Sequence, residues 1–348
     1  MRFHAIIRVF LCAVLLAQPL PAFETDQFNL PAQPLADIGD EVSDYTEENL
    51  REAINKVNAE ILAHQNCLEN RGKNCGSPEK ERLRLNYLRS EEAVAREVFK
   101  LLGAGIIPST KSGTWMNSHK FKAQPARYKT SYGDSIFRVV PTNYLTISPT
   151  VNLYKIHFGT DKIAHFFQQG FTYYIKQKRA VEKGLAEGEA AKKAIRWGKT
   201  SEQTYFGTLV SGVYSNADLA ANFAGMKFYQ GLAHEIKIGE IVRPPVAQLK
   251  NGVWTINENV SLRETLLKPF ITDHFNEALN SSKYSFFLRP SVRRTVRQKA
   301  CGEWRGAFPN LTQTDFADLS QKLKRWHGED YGFSESENFV TIANTCFK

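Results

Sequence analysis

Apolar positions first repeat at helical spacing between Thr46 and Leu68. There Leu50, Ala53, Ile54, Val57, Ile61 and Leu62 form one stripe. Thr46-Glu47-Glu48-Asn49 supplies a helix start. Pro78 to Leu102 predicts a second helix, with proline in its first turn and Gly103 beyond its end. Together they predict an N-terminal helical hairpin. The preceding stretch, Phe23 to Val42, is rich in proline and acid and reads as an extended lead-in. From Gly105 to Leu153, Gly, Pro, Ser and Thr are frequent. The runs Ser135 to Val140 and Tyr144 to Ile147 predict short strands in an irregular segment that could lie across the mouth of a site.

The helical period returns from Thr160, read as a cap, to Lys178, and again over Ala180 to Lys199. Glu202 to Gly212 and Ser215 to Leu232 then read as one interrupted helix or two. Gly252 to Ile256 reads as a strand or hairpin arm. Ser261 to Leu279, Pro290 to Ala300 and Thr312 to Trp326 read as mostly helical. The expected fold class is mainly α, a helical core with the N-terminal hairpin and a minor β or irregular segment. Three stretches follow: 1–22 as a leader, 23–104 as the hairpin region, and 105–348 as a mainly helical domain.

The leader changes where the chain is expected to act. Arg2 and Arg8 precede the apolar run Val9 to Ala17, and Leu20-Pro21-Ala22 offers a cleavage site before Phe23. This predicts export to a periplasmic or extracellular location, peripheral to a membrane, with an uncleaved anchor as the alternative. Cys12 lies inside the apolar run rather than at its end, so it is not read as a lipid-attachment residue. Four cysteines remain. An even number in an exported chain predicts disulfides, and proximity pairs Cys67 with Cys75 and Cys301 with Cys346. Their spacing fits no common zinc pattern.

The formal charge of +9 falls to +7 once Arg2 and Arg8 leave with the leader. Export argues against nucleic acid as a partner and favours anionic lipid or peptidoglycan. No segment after the leader is expected to span a membrane. Tyr205 to Tyr229 comes nearest, and Asp218 and Lys227 interrupt it.

The chemistry concentrates in two polar motifs set in apolar helix. Asp161 and His165 are four apart, as are Asp218 and Asn222, so each pair shares a helix face. Glu202 lies between the motifs. Packed together, these helices would gather Asp161, His165, Glu202, Asp218 and Asn222. Asp161, His165, Glu202 and Asp218 suit a divalent metal, zinc or manganese. Without metal, His165 would serve as base and Glu202 as acid. A third reading is a buried polar network that fixes helix packing. In each, Asn222, Lys162 and Ser215 orient or balance the others.

Two further features stand apart. His274 and Glu277, three apart, suggest a second ligand pair, or else a helix start capped by Thr272 or Asp273. Arg289, Arg293, Arg294, Arg297 and Lys299 predict a basic helix suited to phosphate or anionic lipid, or else a solvated face. No nucleophile elbow, phosphate-binding glycine loop or dinucleotide fingerprint is present.

Over residues 157 to 232 the chain resembles the VanZ-like and YfiM-like envelope proteins. Asp161-Lys162-x-x-His165, then Glu202, then Ser215-x-x-Asp218-x-x-x-Asn222-x-x-Gly225 follow the order of that group's motifs. The resemblance implies a place in the cell envelope and defines no reaction. VanZ-like proteins span membranes several times and YfiM-like proteins carry a lipidation cysteine; this chain departs from both. The resulting expectation is an exported envelope hydrolase or modifying enzyme acting on lipid or peptidoglycan-related substrates. The alternative is a non-catalytic binding or scaffold protein.

Overall fold

The computed structural model describes residues 24–72, 74–107, 109–204 and 206–347. The leader, its cleavage site and Cys12 lie outside these residues. The helices are α1 (Gly39–Asn70), α2 (Pro78–Leu88), α3 (Glu91–Val98), α4 (Lys111–Ser118), α5 (Pro141–Leu145), α6 (Asp161–Glu182), α7 (Glu187–Gln203) and α8 (Asn216–Gly231). Further on come α9 (Leu262–Thr265), α10 (Arg289–Thr295), α11 (Cys301–Ala307), α12 (Gln313–Lys322) and α13 (Ile342–Cys346).

Nine strands complete the described elements: β1 (Thr150–Leu153), β2 (Ile156–Gly159), β3 (Val213–Ser215), β4 (Ile236–Ile238), β5 (Ile241–Arg243), β6 (Ala247–Lys250), β7 (Val253–Ile256), β8 (Ser282–Tyr284) and β9 (Phe339–Val340). They form antiparallel hairpins β1-β2, β4-β5 and β6-β7, and a three-stranded sheet β3-β8-β9. The fold is mainly helical, and its small sheets take a larger share than the minor β part expected.

The predicted stripe on α1 is the buried one: Leu50, Ala53, Ile54, Val57 and Ile61 all face inward, while Leu62 is exposed. The helix begins at Gly39, inside the stretch expected to be extended. Asp37 explains the earlier start, because its carboxylate accepts the Gly39, Tyr154 and Lys155 amides at 2.8–2.9 Å. The second expected helix is broken into α2, α3 and a π turn, Phe99–Gly103. Both disulfides pair as proximity suggested, Cys67 with Cys75 and Cys301 with Cys346.

Other expectations give way. Ser135 to Val140 forms turns rather than a strand, and Tyr144 lies in the short helix α5. The strands of that region are instead β1 and β2. Ser261 to Leu279 is not mostly helical; it holds only α9 and one 3-10 turn, Asp273–Phe275. Glu202 to Gly212 is not a helix either. Glu202 sits in the last turn of α7, and turns follow.

One apolar core joins α1, α2 and α3 to α6, α7 and α8, with Val57, Leu85 and Val98 in the same cluster as Phe166, Ile195 and Phe223. Helices α6 and α8 cross at Gly170 and Gly225. A Cβ on Gly225 would overlap the Phe166 carbonyl, and one on Gly170 would lie 2.6 Å from the Gly225 backbone. This close approach brings the N-terminal turns of the two helices side by side. None of the described helices is long and apolar enough to cross a membrane.

Candidate functional site

The two motifs meet because each begins a helix at the end of a strand. The β1-β2 hairpin, with Thr150 opposite Gly159, delivers the chain to Asp161. Strand β3 delivers it to Ser215, whose hydroxyl accepts the Asp218 amide at 3.1 Å and caps α8. Thr160 does not cap α6 with its side chain. Its hydroxyl donates to Asn117 Oδ1 at 2.8 Å instead.

Lys162 occupies the centre and is fully buried. Its Nζ lies 2.6 Å from Asp161 Oδ2, 2.6 Å from Asp218 Oδ1 and 2.5 Å from Glu277 Oε1. An ammonium has three protons, and three carboxylates stand ready to accept them. Thr25 donates to the other Asp161 oxygen at 2.7 Å. Ser215 donates its hydroxyl to Glu277 at 3.2 Å and its amide to Glu202 at 3.1 Å. His165 places Nδ1 3.1 Å from Asn222 Oδ1 and Nε2 3.5 Å from Asp218 Oδ2. Gln27 accepts the Glu277 amide at 2.7 Å and donates to the His157 carbonyl at 3.0 Å.

Every residue of the two motifs therefore converges. Asp161, Lys162, His165, Glu202, Ser215, Asp218 and Asn222 share one neighbourhood. All are buried.

Two members come from elsewhere in the chain. Glu277, paired with His274 in the sequence reading, belongs to this cluster instead. His274 ends elsewhere: its ring nitrogens lie 3.1 Å from Thr272 Oγ1 and 3.1 Å from the Arg325 carbonyl. Burial pushes its pKa down to about 4, which keeps the imidazole neutral. The helix that would have aligned His274 with Glu277 is absent, since the 3-10 turn stops at Phe275.

Glu24 is the other addition. It lies in the segment expected to be a lead-in, yet Glu24 to Asn29 is buried through the interior. A Thr25–Ser148 bridge holds it there. No short-range signal marks it, because its partners lie more than a hundred residues away.

Five carboxylates, from Glu24, Asp161, Glu202, Asp218 and Glu277, thus face one ammonium and one imidazole. The consequence shows in their acidity. Burial first, then the negative charges of Glu277 and Asp218, push the Glu24 pKa well above the usual carboxylate range. Burial, with Asp218 and Glu24, does the same to Glu202. Burial raises Glu277 to about 7 despite the neighbouring ammonium. Asp218 is also opposed by burial, but His165 and Lys162 outweigh it and hold its pKa low. Lys162 is opposed by burial too, and its carboxylates overcome that and keep it charged.

No family model, curated protein or solved structure matches this chain.

Even with His165 protonated, full ionisation of the cluster would leave a large negative excess away from water. Two buried oxygens, Glu24 Oε2 and Glu277 Oε2, have no hydrogen-bond partner among the described residues. The hydroxyl of Tyr284, close enough to feel both charges, is also without one. Carboxylate oxygens of Glu24, Asp218 and Glu277 come within 4.8 Å of one another. Of the four ligands expected from sequence, only Asp218 belongs to this closest group. Oxygen donors at such spacing suit a hard or borderline divalent ion. Protons taken up by Glu24, Glu202 and Glu277 would also relieve the excess.

Proposed function

We propose that this chain is an exported cell-envelope protein whose carboxylate cluster holds a divalent cation, zinc or manganese, and acts as a hydrolytic or modifying centre on lipid or peptidoglycan-related substrates. The observation that carries this reading is the excess of buried carboxylate over buried positive charge, with oxygens of Glu24 and Glu277 left unpartnered. A purely structural network gains nothing from unpaired buried oxygens, each of which costs about 1–3 kcal/mol. Glu24, Asp218 and Glu277 would hold the ion, with Tyr284 nearby. Such an ion would polarise a substrate oxygen or acidify a water. His165, held by Asn222 and next to Asp218, is the group best placed to carry a proton. Lys162 holds Asp161, Asp218 and Glu277 together and limits their repulsion. The order of motifs shared with VanZ-like and YfiM-like proteins supports the envelope location, as do the two disulfides.

One observation favours a second reading, a non-catalytic scaffold. The cluster is sealed, and Lys162 Nζ donates to Asp161 and Glu277 and pairs with Asp218. The test is metal content of the purified chain by elemental mass spectrometry, beside folded Glu24→Gln, Glu277→Gln and His165→Ala variants. Near-stoichiometric metal lost in the two glutamine variants is the expected result, with His165→Ala retaining it. Metal-free protein after reconstitution with zinc and with manganese would overturn the cation and leave the scaffold.

A further inference from the structure

The three most exposed large apolar side chains, joined by Phe287, lie together. Phe286 is 85% exposed, Leu145 75%, Leu209 74% and Phe287 57%. They sit on three segments tied at one point, Ser211-Gly212. Asn143 Nδ2 donates to the Ser211 carbonyl at 2.7 Å, which fixes the segment carrying Leu145. The Ser285 amide donates to the Gly212 carbonyl at 2.7 Å, which fixes the segment carrying Phe286 and Phe287. Leu209 lies two residues before Ser211. A Cβ on Gly212 would lie 3.6 Å from the Phe287 ring, so the phenylalanine pair stands directly over this junction. Exposed Phe and Leu in one place are costly in water and mark a contact surface.

The adjoining helix says what the contact is. Phe287 leads straight into α10 and the π turn Val296–Ala300. Arg293, Arg294 and Arg297 line one shallow hollow there with Pro290 and Gln298. None of these three arginines makes an ion pair among the described residues. Arg293 is spent partly on the Glu337 carbonyl at 3.0 Å, while Lys299 is paired with Asp134 at 2.9 Å. Aromatic and leucine prongs beside uncompensated arginines fit the boundary between anionic headgroups and acyl chains. Arginine also suits phosphate because its planar fork can give two hydrogen bonds at once.

We infer that the tip formed by Leu145, Leu209, Phe286 and Phe287, with the arginines of α10, docks this protein on a bilayer surface rich in anionic phospholipid. The prongs enter the acyl boundary and the arginines meet the headgroup phosphates. The protein lies on the membrane and does not span it. The inference does not depend on the chemistry of the cluster, but it bears on it. The turn segment carrying Leu209 roofs that cluster: the Thr208 amide donates to the Glu202 carbonyl at 2.9 Å, and the Ser211 hydroxyl, which donates to the Gly207 carbonyl at 3.0 Å, lies beside the Glu24 carboxyl. A Cβ on Gly207 would collide with Glu202. Docking would thus set the roof of the buried site against lipid.

The test is co-sedimentation of the purified chain with phosphatidylglycerol-rich vesicles and with pure phosphatidylcholine vesicles. Phe286→Ser/Phe287→Ser and Arg294→Glu/Arg297→Glu variants are run alongside, each with an oligomeric state from sedimentation velocity. Comparison within the same chain cancels any contribution the leader makes to all samples. The substituted positions are exposed, and circular dichroism confirms folding. Wild type is expected to prefer the anionic vesicles by about tenfold or more, each variant to weaken by about tenfold, and the arginine variant to lose most of its salt dependence. Equal binding of wild type and variants would overturn the inference. So would absence of wild-type binding to anionic vesicles, or self-association that the phenylalanine variant abolishes without any vesicle binding.

Discussion

Glu24 and Asp26 lie two residues apart on one buried segment and end in opposite situations. Asp26 accepts the Phe28 amide at 3.3 Å, the Asn29 side chain at 3.1 Å and the Ile136 amide at 2.9 Å. Both its oxygens are used, all its donors are neutral, and it ties the 24–29 segment to the turn at 135–137. Burial lifts its pKa to about 6 against those hydrogen bonds. Glu24 faces Glu277, Asp218 and Glu202 across a single ammonium and keeps an oxygen without a partner. Burial is thus common to both carboxylates and distinguishes nothing. The balance of donors against acceptors separates a knot that holds the chain from a centre that has room for a further positive charge.

The largest expected effect comes from removing the ammonium. Lys162→Met keeps most of the volume and leaves Asp161, Asp218 and Glu277 facing one another. Breaking a buried ion pair from one side costs about 3–5 kcal/mol, and here three acceptors lose the same donor. Urea unfolding should show a loss of at least that size, or the chain should fail to accumulate folded. Stability equal to wild type would mean that the carboxylates are already neutral around Lys162, and the contrast with Asp26 would collapse.

A change of pH separates the two centres next. Both pKa values are raised, so the folded state holds its proton more tightly than the unfolded chain. Stability from such a group is full below its unfolded pKa and is lost as pH rises through the folded one. For Glu277 the window runs from its ordinary value of 4.5 to about 7, a loss on the order of 3 kcal/mol. For Asp26 it runs from 3.8 to about 6. Between pH 6 and 7 Glu277 therefore contributes after Asp26 has finished. Asp218, with its lowered pKa, works the other way, and its contribution is lost on the acid side. Thermal unfolding from pH 5 to 7.5 should show falling stability whose upper part disappears in Glu277→Gln. Zinc or manganese should flatten the same upper part, because a cation at Glu277 replaces the proton. An unchanged slope with metal would place no cation there.

These two centres were unequally legible in the sequence. Asp161, His165, Asp218 and Asn222 could be placed because helix spacing is local, and Ser215 because it opens the same short motif as Asp218. The hairpin stripe on α1 and the disulfide Cys67–Cys75 were legible for the same reason. Glu24 and Thr25 were not, since nothing local holds them. Their positions come from a bridge to Ser148 and a hydrogen bond to Asp161. Glu277 was singled out with the wrong partner, because spacing three apart implies proximity only on a helix and that helix does not form. Ser135 to Val140 failed as a strand by the same logic: Asp26 takes the Ile136 amide and Ser135 its own near neighbours, so tertiary hydrogen bonds overrode β-propensity.

The smallest effect, and the one that sharpens the contrast most, is expected at Asp26. Asp26→Asn keeps shape but offers one carbonyl oxygen where the carboxylate offered two. One of the Phe28, Asn29 and Ile136 donors then loses its acceptor, at a cost of about 1 kcal/mol. Below its folded pKa the wild-type group is protonated, and its hydroxyl oxygen still accepts a hydrogen bond where the amide nitrogen cannot. Above it, wild type carries a buried negative charge and the variant does not. The penalty should therefore shrink with rising pH, by about 1 kcal/mol between pH 5 and 7.5. Divalent metal should leave it untouched, because every donor to Asp26 is neutral and no oxygen is free. A metal-dependent change in Asp26→Asn would mean that the two carboxylates of this segment form one electrostatic unit, and donor satisfaction would no longer tell a structural acid from a functional one.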